Sequence, residues 1–412
     1  MDARDLMRGS VSQTRNHQTG SGPPRREEAS PSRPRLGAGS GPSLASALLV
    51  LLCCSLLPDD AQAAPPPLPL CPAAVPAQPP ATVQVWRISD FGAVPDDDLP
   101  DDEALRRAQA TLRPGDWLVF PPGRYLQAGS VAIDRPGLTL WGPGATLQAL
   151  DPADHALLLQ ADGVRLAGLT LTARTDRRRD APAQSRLVLQ GAGQVVQQVR
   201  IEGAGAAGIL VLGARGFLLS GNRISATLAD GIHVSGGSRQ GRIENNQVND
   251  AGDDLIAVVS YEHDPAPVQD ILVRGNRVAG GRWGRGLAVV GGERITLEDN
   301  TVSDVLRAAG ILVAQEGPWR TRSVDQVRIE RNRLMRIGRP QDAARAAGAP
   351  TGHAAIEVHR HETPPGAAGI GRLHIGHNPV EDSGVPALRL RDGRLDAGAS
   401  GARLDCPALS TR

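Results

Sequence analysis

The sequence predicts an all-β fold, a single-stranded parallel β-helix (a solenoid), and three observations carry that prediction. Asparagine recurs at Asn222, Asn246, Asn276, Asn300 and Asn332, at separations of 24, 30, 24 and 32 residues. Each sits in the same kind of unit: "FLLSGNRISATLADGIHV", "GRIENNQVNDAGDDLIAV", "ILVRGNRVAGGRWGRGLAV", "ITLEDNTVSDVLRAAGILV" and "VRIERNRLMRIG…AAIEV". Inside a unit, apolar and polar residues alternate and Gly, Asn and Asp mark the breaks, which is the period of strands and not of helices. Periods of this size mean stacked repeats, and three short strands per coil with no helix between coils specify a parallel β-helix. The handedness rule for parallel crossovers makes it right-handed.

Taken in chain order, residues 1–63 read as a signal peptide. The apolar run "LASALLVLLCCSLL" at 44–57 is too short to span a bilayer, follows Arg33 and Arg35, and precedes the A-x-A pattern Ala61-Gln62-Ala63. Cleavage after Ala63 implies an exported protein, periplasmic or secreted, with no membrane span after cleavage. Residues 64–82 are Pro-rich and read as an extended linker, 83–400 as the β-helix, and 401–412 as a tail. Cys71 and Cys406 remain near the two ends, and in an exported protein they either form a disulfide or stay as thiols. "DDEALRRAQATL" at 101–112 is amphipathic at helical spacing. An open solenoid end needs covering, so a short N-terminal capping helix is its expected role.

Composition narrows the partners. The formal net charge is +1 without a basic block, which argues against nucleic acid and anionic membranes. All 45 basic residues are arginine, which excludes a catalytic lysine. Stacked coils lie about 4.8 Å apart, so equivalent side chains form columns. The asparagines then form a structural ladder of amide hydrogen bonds.

The column that carries chemistry precedes the third strand of each unit, where Asp230, Asp254, Arg285 and Ala309 fall in register. Strand alternation turns Ile232, Val234, Ile256 and Val258 inward and His233 outward. Asp230 and Asp254 are then one coil apart, with Asp253 beside Asp254. Carboxylates this close do not all ionise freely, so one has a raised pKa, and a protonated acid beside an ionised base is what glycoside hydrolysis needs. Two other readings fit the same residues: corner chemistry alone, since Asp and Gly form turns, and a Ca²⁺ site of stacked oxygen ligands.

Extra residues follow the third strand at 260–268, 315–325 and 359–369, and insertions on one face of a solenoid build its binding wall. Only three aromatic residues follow Phe217, namely Tyr261, Trp283 and Trp319, and they are expected to stack on sugar or to pack the loops. Candidate substrate-binding residues are thus His233, Tyr261, Arg282, Trp283, Arg285, Glu316, Trp319, Arg320, Glu357 and His359. Forked guanidinium groups at Arg282, Arg285, Arg320 or Arg360 would suit a uronate carboxylate.

The segment "ISDFGAVPDDD…DDEALRRAQATLRPGDWLVFPPGRYLQAG" resembles the opening of β-helix proteins of the pectate-lyase superfamily, and the likeness covers most of residues 88–390. It implies the fold and a carbohydrate-directed activity. The acidic coils are similar to those of polygalacturonases, which carry N-T-D, G-D-D, G-H-G and R-I-K on successive coils. Asp230 in "ADGI" matches the first aspartate, and Asp253 and Asp254 in "GDDLIAV" match the pair. Arg285 in "GRG" stands where that family has histidine, and "GILVA" lacks the family's Arg and Lys. His263-Asp264-Pro265 is similar to a short motif of alginate epimerases. The resemblance implies a glycosidase with no cofactor. It leaves open a uronate lyase or epimerase with the aspartates binding Ca²⁺ and Arg, Tyr261 or His233 as base, or a β-helix that binds glycan without catalysis.

Overall fold

Three strands per coil, each hydrogen-bonded to its equivalents on neighbouring coils, stack into three parallel sheets. The structure, a computed structural model, describes residues 71–281, 283–339, 352–363, 369–396, 401, 402 and 404, all within the unit Pro67–Arg412. Among these residues the first sheet has twelve strands, from Val85–Arg87 to Arg394–Leu395. The second and third have ten each, running from Gly123–Gln127 to Val380–Glu381 and from Val131–Ile133 to Leu388–Leu390.

Alternation sets the interior. Along the second sheet Ile201, Ile224, Val248, Val278, Val302 and Leu334 pair coil to coil and all point inward, fully buried. Each such aliphatic side chain removed from water is worth about 1.5–3 kcal/mol. A one-residue slip would turn the whole column outward, so the pattern fixes the register.

The asparagine ladder forms as expected. Asn222 Nδ2 donates to Asn246 Oδ1 at 2.9 Å, Asn246 to Asn276 at 3.0 Å, Asn276 to Asn300 at 3.0 Å and Asn300 to Asn332 at 2.9 Å. A sixth rung, Asn378, accepts from Asn332 at 2.9 Å. Each of the first five rungs follows a residue at positive φ, namely Gly221, Asn245, Gly275, Asp299 and Arg331. That left-handed residue makes the corner between the first and second sheets, and the buried amide satisfies the polar groups the corner exposes.

The N-terminal end is closed by the helix Asp102–Thr111, which buries Ala104, Leu105 and Ala108 in the same apolar cluster as the first coils. The acidic stretch before it caps the sheet edge. Along Gly123–Gln127, the first strand of the second sheet, the Arg124 N–H donates to Asp96 at 2.9 Å and the Leu126 N–H to Asp101 at 2.9 Å. The Ala128 N–H beyond it donates to Asp102 at 2.8 Å. Unpaired edge amides that would template aggregation are thereby satisfied.

The Pro-rich stretch, expected as an extended linker, is held against the solenoid where it is described. Arg242 donates to the Pro72 carbonyl at 2.9 Å, and Val75 exchanges hydrogen bonds of 2.9 and 3.2 Å with the Gln197 side chain. Val75 is buried with Trp117, Ala167, Val195 and Leu218 on the outer face of the first sheet. Cys71 is disulfide-bonded; Cys406, its expected partner, lies outside the described residues, as do the signal-peptide segment and Arg282. No helix of the described residues is long and apolar enough to cross a membrane.

Candidate active site at the corner before the third sheet

The register places the acidic column as the sequence implies. Ile232 pairs with Ile256, Ile256 with Leu287 and Leu287 with Ile311, so Asp230, Asp254, Arg285 and Ala309 occupy one corner on four successive coils. Ile232, Val234, Ile256 and Val258 are buried inside, and His233 lies on the outer face.

Backbone amides fix these carboxylates. Asp230 Oδ1 accepts the Asp254 N–H at 2.9 Å, and Asp254 Oδ1 accepts the Arg285 N–H at 2.7 Å. Each side chain thus satisfies the corner amide of the next coil, which answers why like charges are placed in register. Close approach is needed here: a Cβ on Gly284 would lie 2.4 Å from the Asp253 carbonyl carbon and 2.5 Å from the Asp254 nitrogen.

One oxygen from each of Asp230, Asp253 and Asp254 lies within 4.8 Å of the others. Their environments differ. Asp254 is buried, and burial pushes its carboxyl well above the ordinary range, with the charges of Asp253 and Asp230 adding to the effect and Arg285 opposing it. Its contacts with the Arg285 N–H and Nε both fall on Oδ1, the latter at 3.0 Å, so neither occupies Oδ2. Asp230 Oδ2 meets His233 Nδ1 at 2.5 Å. Asp253 Oδ2 accepts from Arg178 at 2.6 Å.

Arg178 is the residue that sequence reasoning missed. It lies 75 residues from Asp253, in the charged insertion "RTDRRRD" between the strands Thr170–Ala173 and Leu187–Leu189, so this side of the site also has a loop wall. Burial works against its charge, yet Asp253, then Asp230 and Asp254, hold the guanidinium above its ordinary value. Arg285 follows the same pattern with Asp254 and Glu316 as its main partners, the latter at 3.5 Å.

The loop residues are less available than their composition suggests. Arg285 is bound to Asp254 and Glu316, Arg320 to Glu262 at 3.2 Å and Arg360 to Asp392 at 3.2 Å, so each expected uronate fork that is described already holds a carboxylate. Tyr261 is half-buried with its ring parallel to His233 and His263, at centroid distances of 6.4 and 5.2 Å. Burial, with Asp230 and other carboxylates, raises its phenol. Trp283 is exposed beneath Arg307, 4.8 Å from its ring, and Trp319 is 60% exposed. Asp264 of the epimerase-like triplet is buried and accepts the Gly236 and Tyr261 N–H groups at 3.2 and 3.1 Å, which is loop architecture.

Glu357 and His359 sit farther up the column. Glu357 pairs in register with Leu312 and Arg389, three coils above the Asp254 strand, and is fully buried between the Ala354 N–H at 2.8 Å and Arg389 and Arg391 at 3.4 and 3.5 Å. His359 packs on His353 at 5.5 Å, and burial lowers the pKa of both rings. These two residues are separated from the aspartates by the outward apolar patch Ala257, Ala288 and Leu312.

A family model described as "Right handed beta helix region" matches residues 183–363. No curated protein matches the sequence. Among solved structures, the catalytic domain of a GH87 α-1,3-glucanase in complex with tetrasaccharides aligns with a TM-score of 0.60 at 18% identity, over 79% of this chain and 60% of that one. A second GH87 α-1,3-glucanase structure with tetrasaccharides gives 0.55 at 15% identity, over 82% and 70%. PfbA, a surface adhesin of Streptococcus pneumoniae, gives 0.50 at 14% identity, over 73% and 89%. The protein is a right-handed parallel β-helix, the fold implied by its pectate-lyase-like opening. It spans 60% of the length of the first of these neighbours.

Proposed function

We propose that this β-helix is an exported glycoside hydrolase that uses Asp230, Asp253 and Asp254 on a polysaccharide. The observation that carries the reading is the asymmetry of the three carboxylates: Asp254 is buried with its carboxyl pushed well above the ordinary range, beside Asp253 in an ion pair. Asp254 supplies a proton from Oδ2 to the glycosidic oxygen as the bond from the anomeric carbon breaks. Asp253, with Asp230, takes a proton from the water that attacks that carbon. The leaving sugar gains the proton that Asp254 loses.

Spacing in the neighbours supports the assignment. Structures of GH87 α-1,3-glucanase carry alanine at one of three aspartates, separated in that numbering by 23 residues and then by one, as Asp230, Asp253 and Asp254 are. The pairing of Arg285, Arg320 and Arg360 with carboxylates favours a neutral chain over a uronate. A lyase needs a cation free to neutralise the substrate carboxylate.

The test is a product assay on neutral and uronic polysaccharides that reads reducing ends and unsaturated-uronate absorbance together, with and without Ca²⁺. New reducing ends without absorbance, lost in Asp254→Asn, are expected. Absorbance that requires Ca²⁺ would make the protein a lyase, and binding without any product would leave a glycan-binding β-helix. Export with cleavage after Ala63 belongs to the same reading, and the mass of the mature N-terminus checks it.

A further inference from the structure

The geometry points to Arg178 as a resident cation of the aspartate corner: its guanidinium stands in for a divalent metal, and removing it turns the corner into a Ca²⁺ site. The inference rests on the three-aspartate reading but not on the reaction the aspartates perform.

Three carboxylates, each with an oxygen within 4.8 Å of the other two, are a donor set that a hard divalent ion would take. Here, however, most of those oxygens are already engaged. Asp253 Oδ2 is on Arg178 at 2.6 Å, Asp230 uses Oδ2 on His233 and Oδ1 on the Asp254 N–H, and Asp254 Oδ1 faces the Arg285 N–H and Nε. Three carboxyl groups thus meet two guanidinium groups. The donor set does not fit a metal while Arg178 is present, because an incoming dication would face a fixed positive charge at the Asp253 oxygen it must share.

Arg178 reaches the corner from a firmly attached loop. The Arg179 N–H donates to the Gly205 carbonyl at 2.8 Å, the Ala206 N–H to Gln184 at 2.8 Å and the Arg186 N–H to Ala207 at 3.0 Å, which ties the insertion to the next coil. The Arg186 side chain passes inside the solenoid, where its guanidinium is fully buried and donates to the carbonyls of His155, Thr172 and Leu147 and to the Gln127 side chain, at 2.8 to 3.2 Å. Burial lowers the pKa of this arginine to about 9, and its hydrogen bonds to four oxygens offset the cost of burying the charge. A loop bolted at this end presents Arg178 at a set place, so Arg178 is a positioning residue for Asp253.

Calorimetric titration of Ca²⁺ into the wild type, Arg178→Ala, Arg178→Lys and the double variant Arg178→Ala/Asp253→Ala tests this, with circular dichroism confirming the fold of each. The expected result is a new single site in Arg178→Ala, about tenfold or more tighter than any in the wild type. It should be absent from Arg178→Lys, which keeps a cation, and from the double variant. Equal Ca²⁺ affinity in the wild type and Arg178→Ala would overturn the proposal, as would a folded Arg178→Ala that gains no site, or a gain that survives loss of Asp253. Absence of hydrolysis by the wild type, together with a Ca²⁺ site gained in Arg178→Ala, would remove the hydrolase reading and leave this one standing. Hydrolysis with no gained site would do the reverse.

Discussion

The N–H of Asp254 donates to Oδ1 of Asp230, one coil below, at 2.9 Å. The same carboxylate therefore satisfies a corner amide and faces its two neighbours in the acidic set. Structural and chemical roles can be separated by substitution. Asp230→Asn keeps an oxygen for that amide, whereas Asp230→Ala leaves it without its partner at a cost of about 1–3 kcal/mol. Urea denaturation should find Asp230→Asn close to wild type and Asp230→Ala destabilised by that amount. Both should lose hydrolysis by about 10²–10⁴-fold, the usual worth of acid–base groups. Full activity in Asp230→Asn would reduce the residue to architecture.

Asp254 has a folded-state pKa well above its ordinary value, chiefly through burial. The folded protein therefore holds this proton over a range in which the unfolded chain has released it. That contribution to stability is present at acid pH and is lost as pH rises from about 4 through the folded value, with a slope of about 1.4 kcal/mol for each pH unit crossed. Asp254→Asn cannot ionise and presents an oxygen to the Arg285 N–H. It is expected to unfold at higher urea than wild type near neutral pH, with the advantage shrinking towards about pH 4. The hydrolysis rate of the wild type should fall on the alkaline side of the same value. A pH-independent difference between the two proteins would sink the assignment of Asp254 as the acid.

Much of this architecture was legible because a solenoid repeats its instructions. Asn222 to Asn332 mark the corner, alternation marks the inward face, and together they put Asp230 and Asp254 on adjacent coils from spacing alone. Asn378 escaped because the interval from Asn332 is 46 residues, which breaks the period. Arg178 escaped for a different reason: its insertion lies between the second and third strands, and nothing in "RTDRRRD" states which coil it will reach. The ion pair of Arg320 with Glu262 was equally hidden, since no coil spacing relates the two, whereas Asp392 stands 32 residues beyond Arg360, in register with it on the next coil.

The ladder itself is expected to be stiff energetically. Asn276 sits mid-column, receiving from Asn246 and donating to both Asn300 and the Ile243 carbonyl, all buried. Asn276→Ala deletes these bonds and strands the Asn246 amide, so a loss of about 2–4 kcal/mol is expected from two unsatisfied groups. Exposed Arg277→Ala, one residue on, should stay within about 0.5 kcal/mol. Similar urea midpoints for the two variants would show that the column is decorative.

On the proposed reading, Trp319 is the ring expected to meet sugar, because its exposed face carries no cation among the described residues. Trp319 stands 60% exposed, while Arg307 lies over Trp283 and Tyr261 is half-buried beside two histidines. A ring contact of the same size as an aromatic pair, about 0.5–1.5 kcal/mol, corresponds to a roughly two- to tenfold change in affinity. Trp319→Ala should raise KM by that factor with kcat little changed, and Trp283→Ala should matter less. Affinity electrophoresis in polysaccharide gels would check both, and retention unchanged in Trp319→Ala would remove the ring from the binding surface.

Gly284 ties the coil carrying Arg285 to the one carrying the aspartate pair. A Cβ there would overlap the Asp253 carbonyl carbon at 2.4 Å, the Asp254 nitrogen at 2.5 Å and Asp253 Oδ1 at 2.6 Å. None of these atoms can yield without moving the site, because two are backbone and the third belongs to a carboxylate held by Arg178. Gly284→Ala should push the Arg285 coil away, lengthen the Asp254–Arg285 contact and lower kcat by about tenfold or more, since misplacement on this scale is costly in catalysis. Gly281→Ala is the control: its nearest neighbours begin at 3.6 Å, ordinary contact, and it should behave as wild type. Equal activity in the two variants would mean that the coils flex at this corner, and that the aspartates do not depend on their close stacking.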